Sequence, residues 1–282
     1  MCGVIIHTRA VDHFWKLIFN MKAKKSLGQH FLRSEKALTS IIATGELKLG
    51  DVVLEIGPGE GVLTKKLLEN GCSVLAIEKD DELFKLLKTK FSKEIKAERL
   101  ILEHEDILKF DLSKPIAKSY KLIANIPYNI TGAILEKFLA SDHQPERMVL
   151  LVQKEVAQRI VAKDNKESIL SLSVKVYGTP KYIETVRAGS FAPMPTVDSA
   201  IISIENISKA FFSNFPEKEF FRMLKAGFQA KRKKLSSNLS VIFDKNLVQK
   251  AFHELNLDEN VRAEDVSLEN WQKLAENLFT TR

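Results

Sequence analysis

Cysteine is nearly absent from this chain: Cys2 and Cys72 are the only two in 282 residues. Two cysteines supply no disulfide framework, and that usage points to a reducing compartment. Long apolar runs are missing as well. No stretch reaches the roughly 18 uninterrupted apolar residues that a membrane helix needs, so no membrane association is expected. Residues 1–21 are apolar in patches, but Arg9, Asp12, His13 and Lys16 interrupt them. They do not read as a secretory signal and are treated as an extension, with Met21 a possible start. His7, His13, His30, His104, His143 and His253 have no Cys or His neighbours at ligand spacing, so no metal site is expected. The P-loop pattern G-x-x-x-x-G-K-[ST], the dinucleotide pattern G-x-G-x-x-G and the nucleophile elbow G-x-S-x-G do not occur.

What is present is a composition of 45% hydrophobic and 28% charged residues, ordinary for a globular protein. The length leaves room for two domains. The net charge of +7 is concentrated. Residues 22–33 hold Lys22, Lys24, Lys25 and Arg33 without an acid. Residues 218–234 hold Lys218, Arg222, Lys225, Lys231, Arg232, Lys233 and Lys234 against Glu219 alone. Together these segments carry more positive charge than the whole chain, so the remainder is slightly acidic. Clustered cations favour a polyanionic partner, because each neutralised phosphate releases counterions. Solvated helix faces would give the same pattern without a partner.

Apolar runs alternate with amphipathic stretches: DVVLEIG, then 62–70, CSVLAIE, then 80–90, RLILEHED, YKLIANI, then 130–140, and RMVLLVQ. That alternation predicts an α/β fold, a parallel sheet with helices on both faces. ILSLSVKVYG, KYIETVRAG and SAIISIE read as three further strands without intervening helices, which would finish the sheet in antiparallel fashion. From about residue 207 the pattern is helical, with Phe220, Phe221, Leu224 and Phe228 on one face. The expected organisation is therefore an extension over 1–21, a sheet domain over 22–206 and a smaller all-helical domain over 207–282.

In VLEIGPGEGVLT, a strand ending at Ile56 meets Gly57, Gly59 and Gly61 before a helix. Glycines there let backbone N–H groups and a helix N-terminus approach a ligand closely. Glu78 closes the next strand, about where an acid takes ribose hydroxyls in dinucleotide folds. S-adenosylmethionine would use that carboxylate without needing a pyrophosphate cradle. Asp106, after the third strand, falls on the same carboxyl edge and can accept a hydrogen bond from an adenine amine. His104 beside it reads as a strand-end surface residue.

The fourth strand ends in Asn125, Ile126, Pro127 and Tyr128. An exocyclic adenine amine is a poor nucleophile, since its lone pair is delocalised into the ring. A site that accepts hydrogen bonds from both of its N–H groups localises that pair and aims it. The Asn125 amide oxygen and a carbonyl at Ile126 or Pro127 can be those acceptors. Pro127 rigidifies the loop, and Tyr128 offers a face for stacking a base.

In KKSLGQHFL, EIGPGEGVLT, NIPYNIT, LVQKEVAQRI, FAPMPTVDSAI, FQAKRKKLSSNL and VRAEDVS, from about Lys24 to the C-terminus, the sequence resembles the ribosomal RNA adenine N6,N6-dimethyltransferase family. It is most similar to the ribosome-biogenesis branch. The resemblance implies a Rossmann-like S-adenosylmethionine-dependent methyltransferase sheet with a helical RNA-binding domain. It implies methylation of two adjacent adenosines near the 3′ end of small-subunit rRNA, within a pre-assembled small ribosomal subunit, by a monomeric cytoplasmic enzyme. His30, Leu32, Gly57, Gly59, Glu78, Asp106 and Asn125 would hold the cofactor. Asn125, Pro127 and Tyr128 would present the base, and Phe191 would close on it from the other side. The family usually reads Gln-Asn-Phe-Leu where this chain has Gln29, His30, Phe31 and Leu32, and Tyr-Gly-x-Leu-Ser-Val where it has Ile169 to Val174. Alternatives are a large-subunit rRNA or DNA adenine methylase, an NAD-binding Rossmann oxidoreductase, and a protein whose main contribution is docking on the ribosomal subunit.

Overall fold

The computed structural model describes residues 30–112 and 117–280. The extension over 1–21, Lys22, Lys24, Lys25 and Gln29 lie outside the described residues. In chain order the elements are β1 (Phe31–Leu32), α1 (Glu35–Thr44), β2 (Val52–Ile56), α2 (Val62–Glu69), β3 (Ser73–Glu78), α3 (Asp81–Lys90), α4 (Ser92–Lys96) and β4 (Leu100–His104). There follow β5 (Lys121–Asn125), α5 (Thr131–Leu139), β6 (Arg147–Gln153), α6 (Lys154–Val161), α7 (Ile169–Lys175), β7 (Thr179–Val186), β8 (Phe191–Ala192) and β9 (Ser199–Glu205). The last four helices are α8 (Glu217–Gly227), α9 (Leu235–Leu239), α10 (Lys245–Glu254) and α11 (Leu268–Thr280).

Seven strands form one sheet in the order β4-β3-β2-β5-β6-β9-β7. The five strands from β4 to β6 are parallel, and β9 and β7 close the sheet antiparallel. β2, β3, β5 and β6 are buried along nearly their whole length, which is why they read as continuous apolar runs. β7, at the edge, alternates exposed and partly buried residues along most of its length. From β2 the chain runs outward through β3 to β4, then returns to the other side of β2 as β5. This reversal opens a crevice at the carboxyl ends of β2 and β5, where open α/β sheets bind ligands. Asp80 caps α3 there, its Oδ1 accepting the Glu82 and Leu83 N–H groups at 3.0 Å.

One expected strand is a helix. ILSLSVK forms α7, started by a capping box in which the Ser168 hydroxyl accepts the Ser171 N–H at 3.1 Å and the Ser171 hydroxyl accepts the Ser168 N–H at 2.7 Å. The alternation of Leu170, Leu172 and Val174 with serines suggested one wet face. In fact Ser171 and Ser173 are fully buried too. The Ser173 hydroxyl bonds back to the Ile169 carbonyl at 2.6 Å, so it needs no water and the period-2 signal misleads.

By packing, the chain forms two compact units, and the division is not a single cut. The sheet unit runs through Gln158 and resumes over Thr179–Ile207, while Arg159–Gly178 groups with the helices from Ser208 onward. Among the described residues the helical unit is thus assembled from two stretches, where one was expected. Its core holds the Tyr177 ring 5.4 Å from Phe212 and 6.2 Å from Phe221, and a fully buried Trp271 stacked 5.8 Å from Phe228. A Cβ on Gly227 would lie 2.5 Å from the Trp271 ring, so the end of α8 can carry no side chain there.

Candidate active site

At the carboxyl edge, Ile56 ends β2 and the chain turns through Gly57, Pro58, Gly59 and Glu60 into Gly61, which has φ of +76° and starts α2. Gly59 has φ of +59°, and a Cβ there would lie 3.0 Å from the Phe31 ring. The turn therefore needs glycine for both conformation and clearance. Its backbone is held by Glu78: Oε2 accepts the Gly59 N–H at 3.1 Å and Oε1 accepts the Asp80 N–H at 2.9 Å. Burial pushes the Glu78 carboxyl up, and the N–H groups of Asp80, Gly59 and Lys79 offset part of that rise. Burial pushes Asp106 upward as well. Lys79, bonded to its Oδ2 at 2.9 Å, and the Leu108 N–H on its Oδ1 outweigh burial and hold it below the ordinary carboxylate value.

Asn125 ends β5, and its Nδ2 donates to the His30 backbone carbonyl at 3.1 Å. A carbonyl oxygen can only accept, so this bond fixes which way the amide points and leaves Oδ1 as an acceptor. The Pro127 carbonyl accepts the Ile130 N–H at 3.1 Å as the chain turns into α5. The Tyr128 hydroxyl lies 2.6 Å from Ser199 Oγ, and burial pushes the phenol pKa up, so Tyr128 stays protonated. The His30 ring stacks 5.9 Å from the Tyr128 ring and hydrogen-bonds the Pro193 carbonyl through Nδ1 at 2.8 Å, which makes Nδ1 the protonated nitrogen.

These elements line one cavity of about 220 Å³. Of the residues expected from the sequence, His30, Leu32, Gly57, Gly59, Glu78, Asp106, Asn125, Pro127 and Tyr128 all face it. Phe191 does not. It sits opposite Leu32 in the β1–β8 ribbon, 5% exposed, packed into the core of the sheet unit. His104 also stays outside the lining, paired with Asp81 and stacked on Phe84. Among the cavity residues that the sequence analysis did not single out are Lys79 and Glu55. Lys79 fixes Asp106, and Glu55 stands as an acid inside the apolar strand VVLEI, which was the available signal.

In the helical unit, Lys231, Arg232, Lys233 and Lys234 are all exposed, and none makes an ion pair among the described residues. Their turn is braced by the buried Asn238, whose Nδ2 donates to the Gly227 carbonyl at 2.6 Å and the Ala230 carbonyl at 3.2 Å.

The family model described as ribosomal RNA adenine dimethylase matches residues 20–279. The chain belongs to that family. A ribosomal RNA small subunit methyltransferase A of Dehalococcoides mccartyi is 42% identical over 91% of this dimethylase-family chain and 88% of its own. A solved dimethyladenosine transferase from Plasmodium falciparum superposes with a TM-score of 0.75 at 26% identity, covering 87% of this chain and 96% of its own. The 23S rRNA methyltransferase ErmE superposes with a TM-score of 0.72 at 26% identity, over 88% and 99%. The fold expectation is thereby met: this family member is a Rossmann-like α/β methyltransferase. No helix among its described residues is long and apolar enough to cross a membrane.

Proposed function

We propose that this chain transfers methyl groups from S-adenosylmethionine to the N6 amines of two adjacent adenosines near the 3′ end of small-subunit rRNA, acting in the cytoplasm as a monomer on a pre-assembled small ribosomal subunit. The observation that carries the reading is the Asn125 amide, held by the His30 carbonyl so that its oxygen is presented as an acceptor beside the cavity. The residues fit the methyl donor. Gly57 and Gly59 leave room for backbone approach, Glu78 retains lone pairs for ribose hydroxyls, Asp106 can accept from an adenine amine, and His30 and Leu32 cover the cavity. The bound cofactor would supply a methyl group activated by its sulfonium.

The chain's own part is to prepare the amine. Asn125 Oδ1 accepts one N–H. Of the two nearby carbonyls, that of Pro127 is engaged by Ile130, so the Ile126 carbonyl is the better second acceptor. Two accepted hydrogen bonds favour a tetrahedral nitrogen with its lone pair aimed at the donor. Tyr128, a neutral phenol, offers its ring to the base and needs no role as a general base. Pro127 fixes the loop. Phe191, buried behind Leu32, would act by holding the ribbon that carries His30. The test is calorimetry followed by tritium transfer. S-adenosylmethionine should bind far better than NAD, and unmethylated small subunits should accept label in preference to large-subunit rRNA or duplex DNA. Preference for large-subunit rRNA would favour the second reading, which the likeness to ErmE supports.

A further inference from the structure

Two of the stretches that carry the family resemblance, LVQKEVAQRI and FAPMPTVDSAI, supply no residue to the lining of the cavity described above. They meet instead in a second pocket, of about 290 Å³. It is lined by Gln153, Lys154, Glu155 and Gln158 from the end of β6 and the start of α6, and by Val197 and Asp198 from the segment before β9. Its place follows from the sheet register. Asn125 at the end of β5 pairs with Leu151 of β6, so Gln153 lies one strand over and two residues farther toward the same carboxyl edge. Strand spacing and rise put its Cα about 8 Å from that of Asn125. Gln153 in turn pairs with Ser199 of β9, the residue whose hydroxyl lies 2.6 Å from that of Tyr128. The pocket thus lies beside the residues proposed to present the base. Among the described residues the side chains of Gln153, Glu155 and Gln158 make no hydrogen bond or ion pair. Asp198 is held, its Oδ1 accepting the Ala188 N–H at 3.0 Å and its Oδ2 lying 3.9 Å from Lys154 Nζ. Val197 is 43% exposed and adds an apolar surface. With two acids against one cation, this lining disfavours a phosphate and favours a base edge that bears an exocyclic amine. A glutamine amide presents its oxygen and its NH₂ side by side, which matches the N6 amine and N7 of adenine as one pair of hydrogen bonds. Uracil offers no amine, and cytosine has no N7 beside its own.

We propose that this pocket is a second base subsite, holding the adenine of the nucleotide next to the one whose amine is being methylated. The proposal rests on the function proposed above, since it needs an RNA with two adjacent adenosines. In a single strand whose bases are splayed apart, successive bases can enter separate pockets and be read on their Hoogsteen edges. Here the two openings lie along one sheet edge. While the target base sits by Asn125, the amide of Gln153 or Gln158 reads its neighbour, with Val197 as an apolar contact. For one of the two target adenosines that neighbour is the other target, so the pair, and not a lone adenosine, is the unit recognised.

The experiment is tritium transfer from S-adenosylmethionine by the full chain to unmethylated small subunits whose rRNA carries the adenosine pair intact, or with the first or the second adenosine replaced by uridine. One of the two replacements should lower kcat/KM at the remaining adenosine about tenfold, through the lost pair of hydrogen bonds, and the other should lower it much less. In the double variant Gln153→Ala, Gln158→Ala that difference should vanish, because the intact pair loses the contact that the replaced one never had. Calorimetry with S-adenosylmethionine shows whether the variant is folded. The neighbour dependence of the wild type and the single variants Gln153→Ala and Gln158→Ala keep the proposal falsifiable should the double variant fail to fold. Equal rates at each adenosine whatever its neighbour in the wild type, or a neighbour dependence that survives undiminished in the variants, overturns the subsite alone. A wild-type chain that labels no small subunit overturns the proposed function, and the subsite with it.

Discussion

The two ends of the sheet treat charge in opposite ways. At the amino end, Lys121 reaches Asp51 at 2.8 Å and the Glu46 carbonyl at 2.6 Å, while Arg147 pairs with Glu46 at 2.8 Å and Glu205 at 3.0 Å. Each semi-buried cation there is matched by an acid. At the carboxyl end, Glu78 is held only by backbone N–H groups, Glu55 keeps an unpartnered oxygen, and Asn125 presents a free acceptor. Charges matched internally stabilise the fold, and of the two carboxylates proposed to hold the cofactor only Asp106 is matched in that way, by Lys79. Charges and acceptors left open cost stability and are what a ligand can answer. The difference separates the part of the molecule that holds the sheet from the part that acts.

The comparison is broken most directly by exchanging the consequences. Asn125→Ala should slow methyl transfer by about 10²- to 10³-fold while leaving cofactor affinity within a few-fold, because its oxygen acts on the amine as the transition state forms. Single-turnover tritium transfer reads this, and an intact rate would remove Asn125 from the proposed chemistry. At the other end, Lys121→Met should cost about 3 kcal/mol of stability by stranding Asp51, with the activity of the folded fraction unchanged. Denaturant unfolding beside an activity assay separates the two effects. Asp106→Ala comes next, weakening S-adenosylmethionine binding by about tenfold through one lost charge-assisted hydrogen bond, and calorimetry measures it directly.

Outside the sheet, changing Lys231, Arg232, Lys233 and Lys234 together to Ala should flatten the salt dependence of subunit binding by up to about four phosphate contacts. Cofactor affinity should not move. An unchanged salt slope would mean that these exposed cations only solvate their turn. The smallest effect concerns acid stability. Burial raises the Asp51 carboxyl, but the Lys121 bond and the Lys48 N–H bring it below its ordinary value. Glu205 is lowered first by Lys181. Groups lowered on folding stabilise above their unfolded pKa, and that contribution is lost as pH falls through the lowered value. An acid titration followed by circular dichroism should therefore show Lys121→Met losing less stability between neutral pH and about pH 3 than the wild type.

The sheet was readable because strands buried on both faces spell themselves as unbroken apolar runs, and the ligand edge was readable because glycines, Glu78, Asp106 and Asn125 each follow such a run. α7 was misread for a physical reason: serine counts as a wet residue in a periodicity argument, yet Ser171 and Ser173 bury their hydroxyls on local backbone and side-chain partners. Glu55 escaped for the converse reason. An acid within a strand suggests a solvent-facing position, whereas here it shares the buried face with Val53. The place of Phe191 could not be read at all, since the pairing of β1 with β8 joins residues far apart in the chain.

The two-part make-up of the helical unit has a consequence for how the protein is made and cut. Residues 159–178 leave the ribosome before the chain from Ser208 onward, so the buried face of α7 must wait for α8 while β7 and β9 are still being added to the sheet. Neither unit is a continuous segment. A chain ended at residue 206 would keep α7, with its buried Leu170, Leu172 and Val174, and lose the rest of its packing unit, α8 included. Separating the two units by genetic dissection therefore calls for replacing Arg159–Gly178 with a short hydrophilic bridge, and a transplant of the helical unit onto another enzyme would have to carry that segment along.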